Sequence, residues 1–227
     1  AEQRVGALVD DEPPTFANFV AGPNGEAVAA LRRAALGDAR DGVLLWGAEG
    51  TGKSHLLHAV VDEAARAGRA ARYFATPADA DADIDFAGDP PCIAVDDIDR
   101  ADAAAQARLF TLFNDVRARS GAFIVASRVP AARTALRDDL RTRLGWGLTF
   151  EIRALADADK PAALAAYARG RGFELGDEPV AYLLAHGRRD IGSLIAAIHA
   201  LDRLSLSTRR PITVPLLREW MAARVPR

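Results

Sequence analysis

Cysteine is nearly absent from this chain. Cys92 stands alone, so no intrachain disulfide can form and the core must hold the fold. One free thiol fits a reducing compartment, and the expectation is a cytoplasmic protein. Lysine is almost as scarce. Lys53 and Lys160 are the only two among 29 basic residues, the rest being arginine. An excess of charge is missing too, with 29 basic against 31 acidic side chains and a formal net charge of −2. That balance excludes a strongly basic domain that grips nucleic acid by charge alone. No apolar run approaches the ~18 residues of a membrane span. The first residues, among them Glu2, Asp10, Asp11 and Glu12, lack the apolar stretch of a secretory signal. What is present is ordinary for a globular protein: 227 residues, 50% hydrophobic and 26% charged. That suffices for one large domain or two small ones. Alanine fills about a fifth of the positions, which together with the arginine preference reads as the imprint of a GC-rich genome. Against that background Lys53 stands out.

Residues 1–15 read as a flexible lead-in ending at Pro13-Pro14. Residues 24–36 have helical spacing. The run Gly42 to Gly47 is short, apolar and bounded by glycines, which predicts a buried strand. A Gly-rich turn follows, then a helix from Lys53 to Ala67 stopped by Gly68. Further strands are predicted at 70–75, 92–95, 122–126 and 147–152, with helices at 102–119 and 136–144 between them. Residues 76–90, rich in Asp and Pro, read as a loop. Alternating strands and helices predict a five-stranded parallel sheet flanked by helices. Beyond about residue 155 the strand signals stop. Helices are predicted at 157–169, 177–186, 190–206 and 213–224, with Asp190 and Thr213 placed to open the last two. The expected organisation is therefore a flexible segment over 1–15, an α/β nucleotide-binding domain over 16–154 and a small all-helical domain over 155–227.

The stretch Gly47-Ala48-Glu49-Gly50-Thr51-Gly52-Lys53-Ser54 fits G-x-x-x-x-G-K-[ST], the Walker A phosphate loop, at every fixed position. A strand leads in and a helix leads out, as that loop requires. Glycines let the backbone wrap a phosphate with its N–H groups inward, and the helix N-terminus adds partial positive charge. Lys53 supplies a cation for the β- and γ-phosphates of ATP or ADP, and Ser54 a hydroxyl for Mg2+. Asp96 ends a buried strand, where such proteins hold Mg2+ through a carboxylate, and with the phosphate loop upstream that reading is preferred to a strand cap that opens a turn; Asp97 beside it could orient an attacking water or equally just belong to that turn. Arg128, Arg143 and Arg189, each at the edge of an element, are candidates to meet nucleotide charge or to form surface ion pairs. His55 and His58 are three apart on the predicted helix but have no third metal ligand, so they read as packing residues.

Several of these motifs resemble the DnaA family of bacterial replication initiators. Gly52 to Ala59 looks like the opening of the first helix of that family's AAA+ domain. Thr15-Phe16-Ala17-Asn18-Phe19-Val20, with Gly22 and Asn24, is similar to its nucleotide-base motif, which brings Phe19 and His55 to the nucleotide. Leu140 to Leu148 looks like the segment that carries the arginine finger, at Arg143. Arg188-Arg189-Asp190-Ile191 resembles the sensor II start of a lid helix, with Arg189 on the chain's own nucleotide. The initiators carry a two-helix insertion that contacts single-stranded DNA. Only 17 residues lie between Phe74 and Cys92 here, too few for two ordinary helices. The sequence also stops where the initiators begin their helix-turn-helix domain, and Pro211 to Leu217 is similar to the ending of the Hda-like members of the family.

The resemblance implies an AAA+ α/β domain with a helical lid, and a negative regulator of replication initiation. Acting with bound nucleotide and a DNA-loaded sliding clamp, it would promote hydrolysis of ATP held by DnaA, Arg143 reaching the initiator's nucleotide in trans. The chain itself would be at most a weak Mg-dependent ATPase, touching DNA only indirectly and leaving room for a homo-oligomer. Two departures stand out. Gln3 to Leu8 keeps only a Gln and aliphatics of the family's clamp-binding motif. Arg128 stands where the family commonly has an acidic residue. The alternatives are a DnaA-related helicase or transposase loader that binds single-stranded DNA, against which the acidic 76–90 segment argues, and a small-molecule P-loop kinase, which the all-helical C-terminal part suits less well.

Overall fold

The structure, a computed structural model, describes residues 13–38, 42–81, 90–187 and 190–223. It divides into two compact units, one of residues 14–154 and the other of residues from 155 onward. In chain order the first holds α1 (Gly25–Leu36), β1 (Val43–Trp46), α2 (Lys53–Arg66), β2 (Ala71–Phe74), β3 (Cys92–Val95), α3 (Ala103–Ala118), β4 (Ala122–Ser127), α4 (Asp138–Gly145) and β5 (Leu148–Glu151). All five strands are parallel, in the order β2-β3-β4-β1-β5. The predicted sheet and its flanking helices are both present.

The strands are short and their alternation decides the layers. On one face Val43, Leu45, Ala94, Ile124 and Ala126 pack with Leu31 and Ala35 of α1 and Leu56, Leu57 and Val60 of α2. On the other, Leu44, Ile93, Val95, Phe123 and Val125 pack with Leu109, Leu112 and Val116 of α3 and Leu140 and Leu144 of α4. The inner strands β3 and β4 are buried along their whole length, as continuous apolar runs in a two-sided sheet must be. Cys92 lies in this core with its thiol pKa pushed by burial up to about 12. The edge strands β2 and β5 are more open.

Polar side chains tie the ends. Arg69 is buried and donates from Nη1 to the Ala34 and Ala35 carbonyls and from Nε to Pro90 O. It thereby bonds two of the last four carbonyls of α1, which have no partner within the helix. Asn24 bridges to Arg153 on both sides, its Nδ2 donating to Arg153 O and its Oδ1 accepting from Arg153 N, each at 2.9 Å. The segment before α1 is thus bound to the chain leaving β5.

The second unit is helical: α5 (Lys160–Gly170), α6 (Asp177–His186), α7 (Ile191–Thr208) and α8 (Val214–Ala222). Leu164, Val180, Leu183, Leu194, Ile198, Leu201 and Leu217 are buried in it. Asp190 caps α7, accepting from Ser193 N at 2.8 Å. Thr213 precedes α8 with Pro215 in its first turn, though its side chain makes no cap bond. No helix among the described residues is long and apolar enough to cross a membrane.

Candidate nucleotide site and arginine cleft

Because every strand runs the same way, the loops after β1, β3 and β4 gather at one edge of the sheet. Such an edge, where neighbouring connections diverge, is where open α/β folds bind ligands. The loop after β1 turns through Gly50 and Gly52, at φ of 77° and 95°. Gly52 is also crowded: a Cβ there would come within 2.8 Å of the Phe19 ring. Lys53, only 7% exposed, folds back into the loop and donates from Nζ to Gly47 O at 2.8 Å and Ala48 O at 2.7 Å. Thr51 Oγ1 donates to Ala48 O. Burial lowers the Lys53 pKa, against the opposing pull of Asp96, Asp97, Asp99 and Glu49. The result is a tight turn with a buried cation folded onto two of its carbonyls, at a helix start whose first N–H groups lack intrahelical partners. A polyphosphate fits this chemistry, and Lys53 would exchange its two carbonyl partners for phosphate oxygens. Ser54 is exposed at the same helix start.

Asp96 leaves β3 with 6% exposure. Its Oδ1 accepts from Asp97 N at 2.9 Å and its Oδ2 from the Tyr73 hydroxyl at 3.3 Å. Burial first, then Asp96, push the Tyr73 pKa up to about 12, so the phenol remains a donor. A carboxylate fixed in this way suits an octahedral Mg2+, which takes one or two protein ligands and leaves the rest to phosphate and water. Among the described residues no cluster of three or more His, Cys, Asp or Glu could hold a metal alone. Asp97 has a left-handed backbone at φ 48° and pairs with Arg100 at 2.8 Å.

Phe19 and His55 do meet at this place. Their rings are 5.4 Å apart, and His55 Nε2 lies 2.9 Å from Thr15 O. Burial lowers the His55 pKa, the Thr15 carbonyl opposes this, and His58 adds to it. The turn that carries Phe19 is set by Asn18 Oδ1, which accepts from both Thr15 N and Thr15 Oγ1. His58 packs against Tyr73 with ring centroids 3.8 Å apart and the planes tilted by 35°, the packing role expected of it.

Arg128, after β4, has a partner that inspection of its neighbours in sequence does not suggest. Its Nε and Nη2 each lie 2.8 Å from Asp99 Oδ2, and its backbone N donates to Asp99 Oδ1. The Arg128 charge is answered by an acid 29 residues upstream, in the turn after β3.

Arg143 lies elsewhere. With Phe113, Arg117 and Trp146 it lines a cleft of about 140 Å3, which Gly42, Gly121 and Gly147 also line. Those glycines precede β1, β4 and β5, so the cleft opens at the sheet edge opposite the Lys53 loop. Arg143 Nη1 donates to Asn114 Oδ1 at 2.6 Å, and its guanidinium lies 4.4 Å from the Phe110 ring centroid. Trp146 is 62% exposed, with the Arg117 and Arg143 guanidiniums 5.6 and 5.9 Å from its ring. Neither Asn114 nor Asp99 carries a sequence signal. Each matters only through a partner about 29 residues away.

Two family descriptions match the chain. Residues 11–80 match the bacterial DnaA ATPase domain, and residues 157–221 match the Hda lid domain. It is a DnaA-related AAA+ protein with an Hda-type lid. Solved structures share the fold. Domain III of the Thermotoga maritima replication initiation protein DnaA superposes with a TM-score of 0.65 at 19% identity, covering 91% of this chain and 95% of that one. AMPPCP-bound DnaA from Aquifex aeolicus gives 0.65 at 20% identity, over 88% and 70%. The Thermotoga maritima RuvB branch-migration motor gives 0.56 at 18%, over 87% and 68%. In this DnaA-related chain, Arg189 of the expected sensor II motif and the Gln3 to Leu8 segment lie outside the described residues, as do residues 82–89 of the segment read as an acidic loop.

Proposed function

We propose that this chain is a nucleotide-bound AAA+ regulator that stimulates hydrolysis of ATP held by DnaA, together with a DNA-loaded sliding clamp, and so inactivates the initiator. The observation that carries this reading is the placement of Arg143. It is at the sheet edge opposite its own Lys53 loop, on a surface cleft beside an exposed tryptophan. Among the described residues it has no carboxylate partner. An arginine so placed is suited to another molecule's nucleotide rather than its own, which is how an arginine finger works in trans.

The chain's own nucleotide, ADP or ATP, would lie on Gly47, Ala48, Glu49, Gly50, Thr51, Gly52, Lys53 and Ser54, with Phe19 and His55 at the base end and Arg189 from the lid. The solved DnaA that carries AMPPCP supports a nucleotide there. Asp96 and Ser54 would hold Mg2+, and Asp97 would orient water in any slow hydrolysis by the chain itself. A bound Mg2+ would neutralise charge across the phosphates. Lys53 would move from the Gly47 and Ala48 carbonyls onto phosphate, Tyr73 would keep Asp96 in place, and Gly52 would let Phe19 close over the loop. The bound nucleotide is then a structural ligand that sets the shape presented to the initiator.

The test is ATP hydrolysis by the cognate DnaA with and without this protein, in the presence of ADP and clamp-loaded DNA. Faster hydrolysis that needs the clamp is expected. No effect from protein shown to bind nucleotide would overturn the reading, and binding of single-stranded DNA would then favour a loader.

A further inference from the structure

We infer that Asn114 is the positioning residue for Arg143, holding its guanidinium by a neutral acceptor so that the charge stays available to a partner's phosphate. The inference rests on the trans role proposed above. Residues i, i+4 and i+7 share one face of a helix. On α3 those positions are Phe110, Asn114 and Arg117, and this face meets the end of α4. Phe110 supplies the ring under the guanidinium at 4.4 Å, and Asn114 supplies the only side-chain oxygen among the described residues that accepts from it, at 2.6 Å. Arg117 stands beside Trp146 as a second cation at the rim.

The chemistry of the acceptor is the decisive point. A guanidinium has five N–H donors in a fixed fork and stays charged at every accessible pH. A carboxylate would take two of those donors and cancel the charge. An amide oxygen takes one, orients the plane and leaves the net charge and the other donors in place. The carboxylates nearest in sequence are kept off: Asp138 pairs with Arg141 at 2.6 Å and Asp139 with Arg137 at 2.7 Å, at the start of α4. Phe110 contributes a ring face, which favours a cation without neutralising it. Holding the fork in advance lowers the ordering cost when a phosphate arrives.

The test compares Asn114→Asp and Asn114→Ala with wild type and Arg143→Ala in the initiator hydrolysis assay, reading the maximal stimulated rate and the protein concentration for half-maximal effect separately. Asn114→Asp is nearly isosteric and makes an ion pair that must break before the finger can act. It should lower the maximal rate about tenfold, with the half-maximal concentration and ADP binding unchanged. Asn114→Ala frees the fork and should cost about threefold to fivefold in the same parameter. If Asn114→Asp keeps the wild-type rate, or moves only the half-maximal concentration, while Arg143→Ala abolishes stimulation, the positioning role is wrong and the trans role stands. If Arg143→Ala still stimulates, the trans role falls and the inference with it. Unchanged ADP binding in each variant certifies its fold, and should Asn114→Asp fail that check, Asn114→Ala alone decides.

Discussion

Arg128 and Arg143 stand at opposite edges of one sheet and are treated in opposite ways. Arg128, at the edge with the Lys53 loop, is gripped by a carboxylate through two guanidinium nitrogens and its own backbone N–H. Its charge is answered within the fold, and it ties the end of β4 to the turn after β3. Arg143, at the other edge, has an amide and aromatic rings for company. Among the described residues no carboxylate answers its charge. Residue type alone therefore says little in an arginine-rich chain. What separates these two arginines is the charge of the group that orients each.

The comparison breaks most visibly if Arg143 is removed. An arginine finger given in trans contributes on the order of 10³ or more to the rate. Arg143→Ala should therefore lower stimulated hydrolysis by about that factor while ADP binding and melting temperature hold, as measured by phosphate release and calorimetry. Lys53→Ala acts at the opposite edge with the opposite signature. Losing two charge-assisted bonds to phosphate, at about 1.5 kcal/mol each, should weaken ADP binding about 10²-fold. Titration calorimetry reads this directly, and normal binding by that variant would remove the phosphate-loop assignment.

The layers of this fold were legible because strands and helices differ in period and the glycines fall between them. The Lys53 loop was legible because its chemistry demands fixed spacing along one turn. Phe19 and His55 were placed through resemblance, and the structure supplies the reason they meet: the Thr15–Asn18 turn delivers the ring to Gly52. The partners of Arg128 and Arg143 could not be read from local spacing. Asp99 is one of several acids near the end of β3, and Asn114 is an unremarkable helix residue. Their roles arise when parallel strands and packed helices bring distant positions together, which no short window of sequence contains. The same holds for Tyr73, whose hydroxyl supports Asp96 across the β2–β3 pair.

Asp99→Asn sharpens the comparison at the Arg128 end, with the smallest expected effect. The Asp99 side chain is 8% exposed, and burial alone would raise its pKa, but the bonds from Arg128 outweigh burial and hold it below the usual range. Unfolded, an aspartate titrates near 3.9. A group whose pKa is depressed by folding adds stability that is fully present above the unfolded value and is lost as the pH falls through the folded one. The wild-type pair thus contributes at neutral pH and fades below about pH 4. Because Arg128 is half exposed, solvent discounts the pair, and Asp99→Asn should lower the melting temperature by only about 1 to 3 °C at pH 7. The gap between variant and wild type should narrow as the pH falls below about 4. Arg128→Ala should give a similar loss, and the double variant little more than either alone, since both remove one interaction. A gap that stays constant from pH 7 to pH 3 would mean that Asp99 supports the turn by packing and that Arg128 is not held by charge.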